Sequence, residues 1–434
     1  MWLFILPWCF VTVYCLPLFL TANMKKISNK LIVGLTACAA LGCNQPVKQD
    51  AQSGAGAAFE KGSYGYDAAF LKQHTGKVVE LTSGEAKVLL SADYQGRVIT
   101  STAAGDSGSS YGWLNYGLIA SGKTAPHFNA YGGEERFWLG PEGGQYSLYF
   151  KKGDSFTVAH WQVPPVVDTD AYEVADSSQS QAVFTKNATI TNYSGTGFTF
   201  NITRKVQLLD KAAIEAKLQT AVPSGLRFVA FETDNQLKNT GTNAWKKETG
   251  LLSIWLLGQF TPSDETKVII PFHAGPDAKT HITDNYFGKI PDDRLLVKDS
   301  VLYFRCDGKS RGKLGLSPVV AKAIAGSFDF KKNVLTIIIP QVEKNGAYVN
   351  SKWELQKEPY KGDVINSYND GPMQDGTQLG PFYEIESSSA AKELKPGEVQ
   401  AYQQTTCHFE GNYSALAALA KQLLGVDLDE VKKW

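Results

Sequence analysis

No excess of charge of either sign marks this chain: 43 lysines and arginines stand against 43 aspartates and glutamates in 434 residues. A balanced surface gives no general attraction for nucleic acid. Sulfur is scarce too, with six cysteines and three methionines. Beyond residue 43 only Cys306 and Cys407 remain; they could pair in an oxidising compartment, but two cysteines specify no disulfide framework. None of the six histidines stands in a metal-ligand spacing with another, so no zinc motif is present. A Gly-rich phosphate loop and a repeat of fixed period are likewise missing.

Charge is absent altogether from the first 20 residues, which on length alone suits a membrane span. A second reading competes. Met24 opens "MKKISNKLIVGLTACAALGC", a basic start, a short apolar stretch and small residues before cysteine. That is a secretory signal pattern, and it makes residues 1–23 an artefact of start-site assignment, with translation expected from Met24. Removing residues 1–42 takes away Lys25, Lys26 and Lys30 and no acid, leaving 40 basic against 43 acidic residues.

What is plentiful is glycine, 40 residues, and aromatic side chains, 12% of the chain. Both favour β structure with many turns over a helical bundle. After a polar linker at 44–62, short β-favouring runs alternate with Gly, Asn, Asp and Ser. Val88, Leu90, Ala92 and Tyr94 alternate before a turn at Gly96. Phe198, Phe200, Ile202, Arg204, Val206 and Leu208 share one face of "FTFNITRKVQLL", as in a half-buried strand. Helical spacing is convincing only at the end, where Ser414 is the expected N-cap. Leu416, Leu419, Ala420, Leu423 and Leu424 then form a stripe closed by Gly425. The expected fold is mainly β: a large antiparallel β-sandwich over 63–434, with a C-terminal helix laid on the outside of a sheet.

Three segments concentrate acids. "FNAYGGEERFWLGPEGGQYSLYF" carries Glu134, Glu135, Arg136 and Glu142 among Trp138, Tyr146 and Tyr149. Alternation along a strand would put Glu134 and Arg136 on one face and Glu135 on the other. "FETDNQLKNTGTNAW" supplies Glu232, Asp234 and Asn235; "YEIESSSAAKELKPGE" puts Glu384 and Glu386 on a shared face, after Asp363, Asp370 and Asp375. Such charges are costly to bury unpaired. They either face a wet cleft, as general acids and bases whose pKa values are pushed apart, or form ordinary Arg–Glu pairs that hold a sheet. Trp138, Trp161, Tyr146 and Tyr149 favour a sugar site, since flat rings suit the C–H faces of pyranoses, although aromatics also fill sandwich cores. His160 follows closely enough to reach the same cleft, while His408 reads as structural. The Asp-rich loop does not have the spacing of a recognised calcium loop.

"YGGEERFWLGPEGG", "VLLSADYQGRVITS", "FVAFETDNQLKNTGTNAW" and "EIESSSAAKELKPGE" together resemble blocks of galactose mutarotase-like proteins. The pattern over residues 64–425 also resembles an uncharacterised family of bacterial lipoproteins. The first resemblance implies a β-supersandwich with a sugar-accepting concave face and Glu386, or its neighbour Glu384, as base at an anomeric hydroxyl. Ser253 and Trp255 stand where that family has its general-acid histidine, so His160 or His273 would have to substitute. The residues before Cys38 and Cys43 resemble a lipobox. Cys43, followed by a polar tether, is the favoured lipidated residue, anchoring a soluble domain to a bacterial membrane.

The resulting expectation is a carbohydrate-active lipoprotein of the cell envelope, without cofactor or metal, working at an anomeric centre as an epimerase or glycosidase through paired carboxylates. Glu386 would be base and Glu134 or Glu142 acid, with Glu384 and His160 as further candidates. Arg136, Trp138, Asp234, Asn235 and Trp161 would bind a small-molecule or oligosaccharide ligand. A non-catalytic glycan-binding lipoprotein using the same surface is the alternative, and a structural envelope protein the third. Expressed in a bacterial host, Cys43→Ser is expected to move the protein from the membrane fraction to the soluble one, and Cys38→Ser to leave it there; fractionation and immunoblotting check this.

Overall fold

The computed structural model describes residues 59–434, Gln374 excepted. The signal segment, Cys38, Cys43 and most of the linker lie outside the described residues. Among the described residues no helix is long and apolar enough to cross a membrane.

Three antiparallel sheets make up the chain. The largest has ten strands, in the order Leu295–Lys298, Val301–Arg305, Thr266–Pro271, Ala325–Asp329, Val334–Pro340, Val399–Glu410, Arg227–Asn239, Gly197–Leu208, Gln181–Thr191 and Glu173–Ser177. A six-stranded sheet runs Ile282–Thr283, Gly312–Leu316, Ile365–Asn369, Tyr383–Ser388, Ser253–Phe260, Arg136–Gly140. A three-stranded sheet joins Val78–Ser83, Ala86–Ser91 and Arg97–Thr102. The expected large antiparallel β-sandwich is what forms.

Period two decides the layering. In Gly197–Leu208 the six side chains named from the sequence are buried and their neighbours are partly exposed or exposed. They meet Phe137, Leu139, Ile254 and Leu256 of the six-stranded sheet in one apolar cluster. A second cluster joins Val268, Ile270, Leu302 and Phe304 to Leu314, Leu316, Ile365 and Ile385. The short hairpin turns at Gln95 and Gly96, both at positive φ (62° and 60°), a backbone that glycine adopts without cost. The strand ends at Ser91, so Tyr94 belongs to the turn rather than to the alternation. Both faces of this hairpin are covered: Val88, Leu90 and Val98 join the sandwich core, while Leu89 and Ile99 pack under the helix Tyr64–His74. That helix, capped by Ser63, was not legible as a periodic stripe.

The C-terminal helix is Tyr413–Leu424 and its cap is Asn412, not Ser414: the Asn412 carboxamide accepts from the backbone N–H of Ser414 and Ala415. Asn412 holds extended backbone while Ser414 is already helical, the geometry an N-cap needs. Leu416, Leu419, Ala420 and Leu424 lie on Ile337, Cys407 and Phe409 of the ten-stranded sheet, and a short helix Leu428–Lys433 follows. Cys407 is buried there and Cys306 in a different cluster; both are free thiols, so the pair allowed by the sequence does not form.

Between the two large sheets runs a dry polar seam. Arg204 interrupts its own apolar face to donate to Glu135 Oε1 (3.0 Å), to the Asn235 side chain (2.6 Å) and to Gly96 O (3.0 Å). Glu135 also accepts from Thr233 Oγ1 (2.7 Å) and Gln404 Nε2 (2.8 Å). Neither ion is exposed. Buried pairs of this kind add little net stability, yet removing one partner leaves the other charge stranded. Arg204→Met is therefore expected to destabilise the fold by about 3–5 kcal/mol, and Glu135→Gln in the same chain to recover part of it, both measured by denaturant unfolding.

Candidate functional site on the outer face of the six-stranded sheet

The strand Tyr383–Ser388 has two occupations. Its odd-numbered side chains point into the sandwich: Tyr383 Oη meets Ser327 Oγ at 2.7 Å and Ser387 Oγ donates to Gln404 Oε1 at 2.6 Å, both on the ten-stranded sheet. The even-numbered ones, Glu384 and Glu386, consequently share the outer face, as alternation required. Register sets their neighbours. Glu386 lies opposite Leu257 and Asn366, Glu384 opposite Gln259 and Tyr368, and Trp138 opposite Trp255. From Gly312–Leu316, the next strand but one, Lys313 projects onto the same face, since Leu314 on its other side is core.

Glu386 is wholly buried. Its Oε2 accepts from Lys313 Nζ (2.9 Å) and from the Trp255 indole Nε1 (3.0 Å), while Oε1 has no partner. Trp255 thus serves as a hydrogen-bond donor to the acid. Beside it Glu384 takes a hydrogen bond from Arg136 Nη2 (2.5 Å), and the guanidinium lies over the Trp138 ring at 5.1 Å.

Loops roof this face and leave a cavity of about 570 Å³. Its walls include Glu142, Lys313, Asp363, Asn366, Trp255, Trp353, Tyr286, Phe287 and Phe156. The turn around Glu142 is pinned. Its backbone N–H donates to Ser351 Oγ (3.2 Å), and the Gln145 carboxamide donates to the Gln356 carbonyl (2.9 Å) and accepts from the Gln356 N–H (3.0 Å). Gly143 passes so near the Lys352 carbonyl that a Cβ would sit 2.2 Å from it. Gly315 plays a matching part: a Cβ there would stand 2.1 Å from Asp363 Oδ2, so only glycine lets that carboxyl approach the sheet. Asp363 Oδ2 accepts from Tyr286 Oη (2.5 Å).

Burial pushes the Glu142 carboxyl up to about 7; the Glu386 carboxylate adds to the rise, while the Lys313 ammonium and the indoles of Trp353 and Trp161 oppose it. Burial also raises Asp363, against its bond from Tyr286, and raises Glu384, against Arg136 and with the help of Glu386. Burial alone would lower Lys313, yet Glu386, Glu142 and Glu384 outweigh it and its pKa rises. At neutral pH the wall thus holds an acid poised to exchange a proton and a fixed cation, which is bonded in turn to the buried Glu386 behind it.

Of the residues named from the sequence, Glu142, Glu384, Glu386, Arg136, Trp138 and Trp161 gather on or beside this face. Trp161 packs against Trp353 (5.8 Å), and Trp138 leaves its indole nitrogen without a partner. The others fall elsewhere. Glu134 is not on the Arg136 face: it lies before the strand, after Gly132 and Gly133 at positive φ, where alternation does not yet hold. Its Oε1 accepts from Ser101 (2.7 Å) and meets His408 Nε2 (2.5 Å) on the ten-stranded sheet. Asn235 belongs to the seam with Arg204, and Asp234 faces Gln403 on the opposite side of that strand. His160 is exposed, its ring held by Ser155. Asp370 is tied to Tyr368 and Gly380, and Asp375 to Thr377, so the Asp-rich loop converges on no centre. Lys313, Trp353 and Tyr286 were missed. Lys313 had one signal, a lysine between two glycines in a run of otherwise apolar β-formers.

Residues 62–434 match the profile of a family of unknown function, DUF6786. No curated protein matches the chain. Among solved structures, a candidate aldose 1-epimerase from Escherichia coli K12 is similar at 12% identity and a TM-score of 0.46, covering 77% of this chain and 99% of that one. A galactose mutarotase-like protein from Lactobacillus casei ATCC 334 is similar at 12% identity and a TM-score of 0.43, over 77% and 100% of the two chains. A galactose mutarotase related enzyme from Lactobacillus acidophilus gives 10% and 0.42, over 76% and 97%.

Carbon-13 NMR of labelled glutamates, assigned with Glu142→Gln, is expected to show Glu142 titrating near pH 7. Lys313→Met removes the opposing cation and is expected to move that midpoint upward. A midpoint left in the ordinary range of glutamates would contradict the arrangement.

Proposed function

The chain belongs to DUF6786, a family of unknown function, and from the site itself we propose a carbohydrate-active protein working by acid–base chemistry at a sugar's anomeric centre. One observation carries the reading: Glu142 and Lys313 stand in the wall of an aromatic-lined cavity large enough for a sugar ring, with Glu386 bonded to Lys313 directly behind that wall. In cleavage, protonated Glu142 gives its proton to the glycosidic oxygen while a carboxylate on the other side activates water or attacks C1. In epimerisation, the same proton goes to the ring oxygen as a base removes the one on the anomeric hydroxyl. Glu386 is the base in both, through its unpartnered Oε1, with Lys313 and Trp255 holding its Oε2. Trp255, Trp353 and Tyr286 offer flat faces to the ring. The protein is further proposed to stand in the bacterial envelope on a lipid at Cys43, meeting its glycan outside the cytoplasm.

A non-catalytic glycan binder is the second reading. It is favoured by the complete burial of Glu386 beneath Lys313 and Trp255, and by a cavity wall that contains no histidine.

Proton NMR of anomers and products, run with a panel of mono- and disaccharides, separates the two. Turnover is expected to drop about a hundredfold or more in Glu142→Gln and in Glu386→Gln. Because Glu142 must be protonated to act, the rate is expected to fall as pH rises through about 7. Line broadening without conversion selects the binder, and silence for every sugar removes both readings.

A further inference from the structure

The mouth of the cavity differs from its floor. Phe287 and Val158, two of the few large apolar side chains left exposed (45% and 66%), both stand in its lining. Phe287 is backed on one side by the Arg311 guanidinium, 3.8 Å from the ring centroid, and its edge is set by Tyr368 at 5.9 Å. Arg311 is itself positioned, its Nε donating to Tyr368 Oη (3.2 Å), and forms no ion pair among the described residues. Lys352, half-buried in the wall, likewise has no carboxylate within ion-pair distance among them. Glu354 is the exposed acid nearby and Asp363, bonded to Tyr286 and within the field of Lys352, the half-buried one, so Arg311 and Lys352 stand at the mouth against a single exposed acid.

Resting on the sugar reading above, we propose that the substrate or ligand is an acidic oligosaccharide. One unit sits at Glu142 and Lys313, and a neighbouring unit bears a carboxylate that Arg311 and Lys352 receive while its ring lies against Phe287. A monosaccharide filling the floor would leave the exposed aromatic and both cations unused. A planar carboxylate matches the paired N–H groups of a guanidinium, which makes a uronate the chemistry of choice over a sulfate ester.

Titration calorimetry with the full chain in detergent tests this, using a glucuronate-containing disaccharide, its neutral glucose counterpart, a sulfated counterpart and the free monosaccharides. The acidic disaccharide is expected to bind about tenfold or more tightly than the neutral one at low salt, and less so as salt rises. Arg311→Gln and Lys352→Gln, both outside the fold's core, are expected to erase that advantage. Phe287→Ala is expected to weaken both disaccharides and leave monosaccharides unchanged. Equal binding of acidic and neutral disaccharides would overturn the proposal while leaving the sugar reading intact, and preference for the sulfated one would overturn the uronate. No binding or turnover of any glycan overturns both.

Discussion

The ammonium of Lys313 allows three glutamates to crowd one face of a sheet. Glu384 and Glu386 are two residues apart on a strand, and Glu142 descends on them from the roof. Burial and mutual repulsion both work against ionising such a set. Arg136 answers Glu384 and Lys313 answers Glu386. Among the described residues Glu142 has no ion pair of its own: burial raises its carboxyl and Lys313 opposes the rise. Where Lys313 points thus tempers that acid, and its direction follows from Leu314 being core.

A second division of labour separates neighbouring acids in "GGEER". Glu134, Glu135 and Arg136 are consecutive, yet they serve three different partners: His408, Arg204 and Glu384. The first two fasten the segment to the ten-stranded sheet, and the third turns to the outer face of the six-stranded one. That face and the sandwich seam are thereby tied through one peptide stretch, so the strand Arg136–Gly140 cannot shift without disturbing both. The seam has a cavity of its own at one end, about 610 Å³, where His408 and Thr336 are bonded at 2.9 Å. There the histidine bonds Thr336 and Glu134, whose Oε1 also takes the Ser101 hydroxyl while its Oε2 is left without a partner.

Much of the fold was legible because it obeys local periods. The alternation in "FTFNITRKVQLL" is that strand's burial pattern, and the leucine stripe after residue 415 is the face of the C-terminal helix. Legibility failed where a local rule was applied one residue too far. Alternation was extended back to Glu134, although two glycines at positive φ break the chain there. Ser414 is the expected cap, yet Asn412, two residues earlier, has the same capacity and the right backbone. In the site, Glu384 and Glu386 were readable as a pair because period two is a property of any strand. Trp255 was visible only as a missing histidine. Its actual use, an N–H aimed at Glu386, depends on which strand lies alongside.

The amino-acid sequence by itself determined the class of the fold, the outward pairing of Glu384 with Glu386, and the apolar faces that hold the sheets together, because each depends on side-chain direction within one element. Tertiary structure alone decided which acids meet. Glu142 reaches Glu386 across more than two hundred residues of chain, and Lys313 joins them from a third segment. Glu134 and Asn235 are claimed by the seam instead. Charges interact through space within a few ångströms, and nothing in the linear order records that distance.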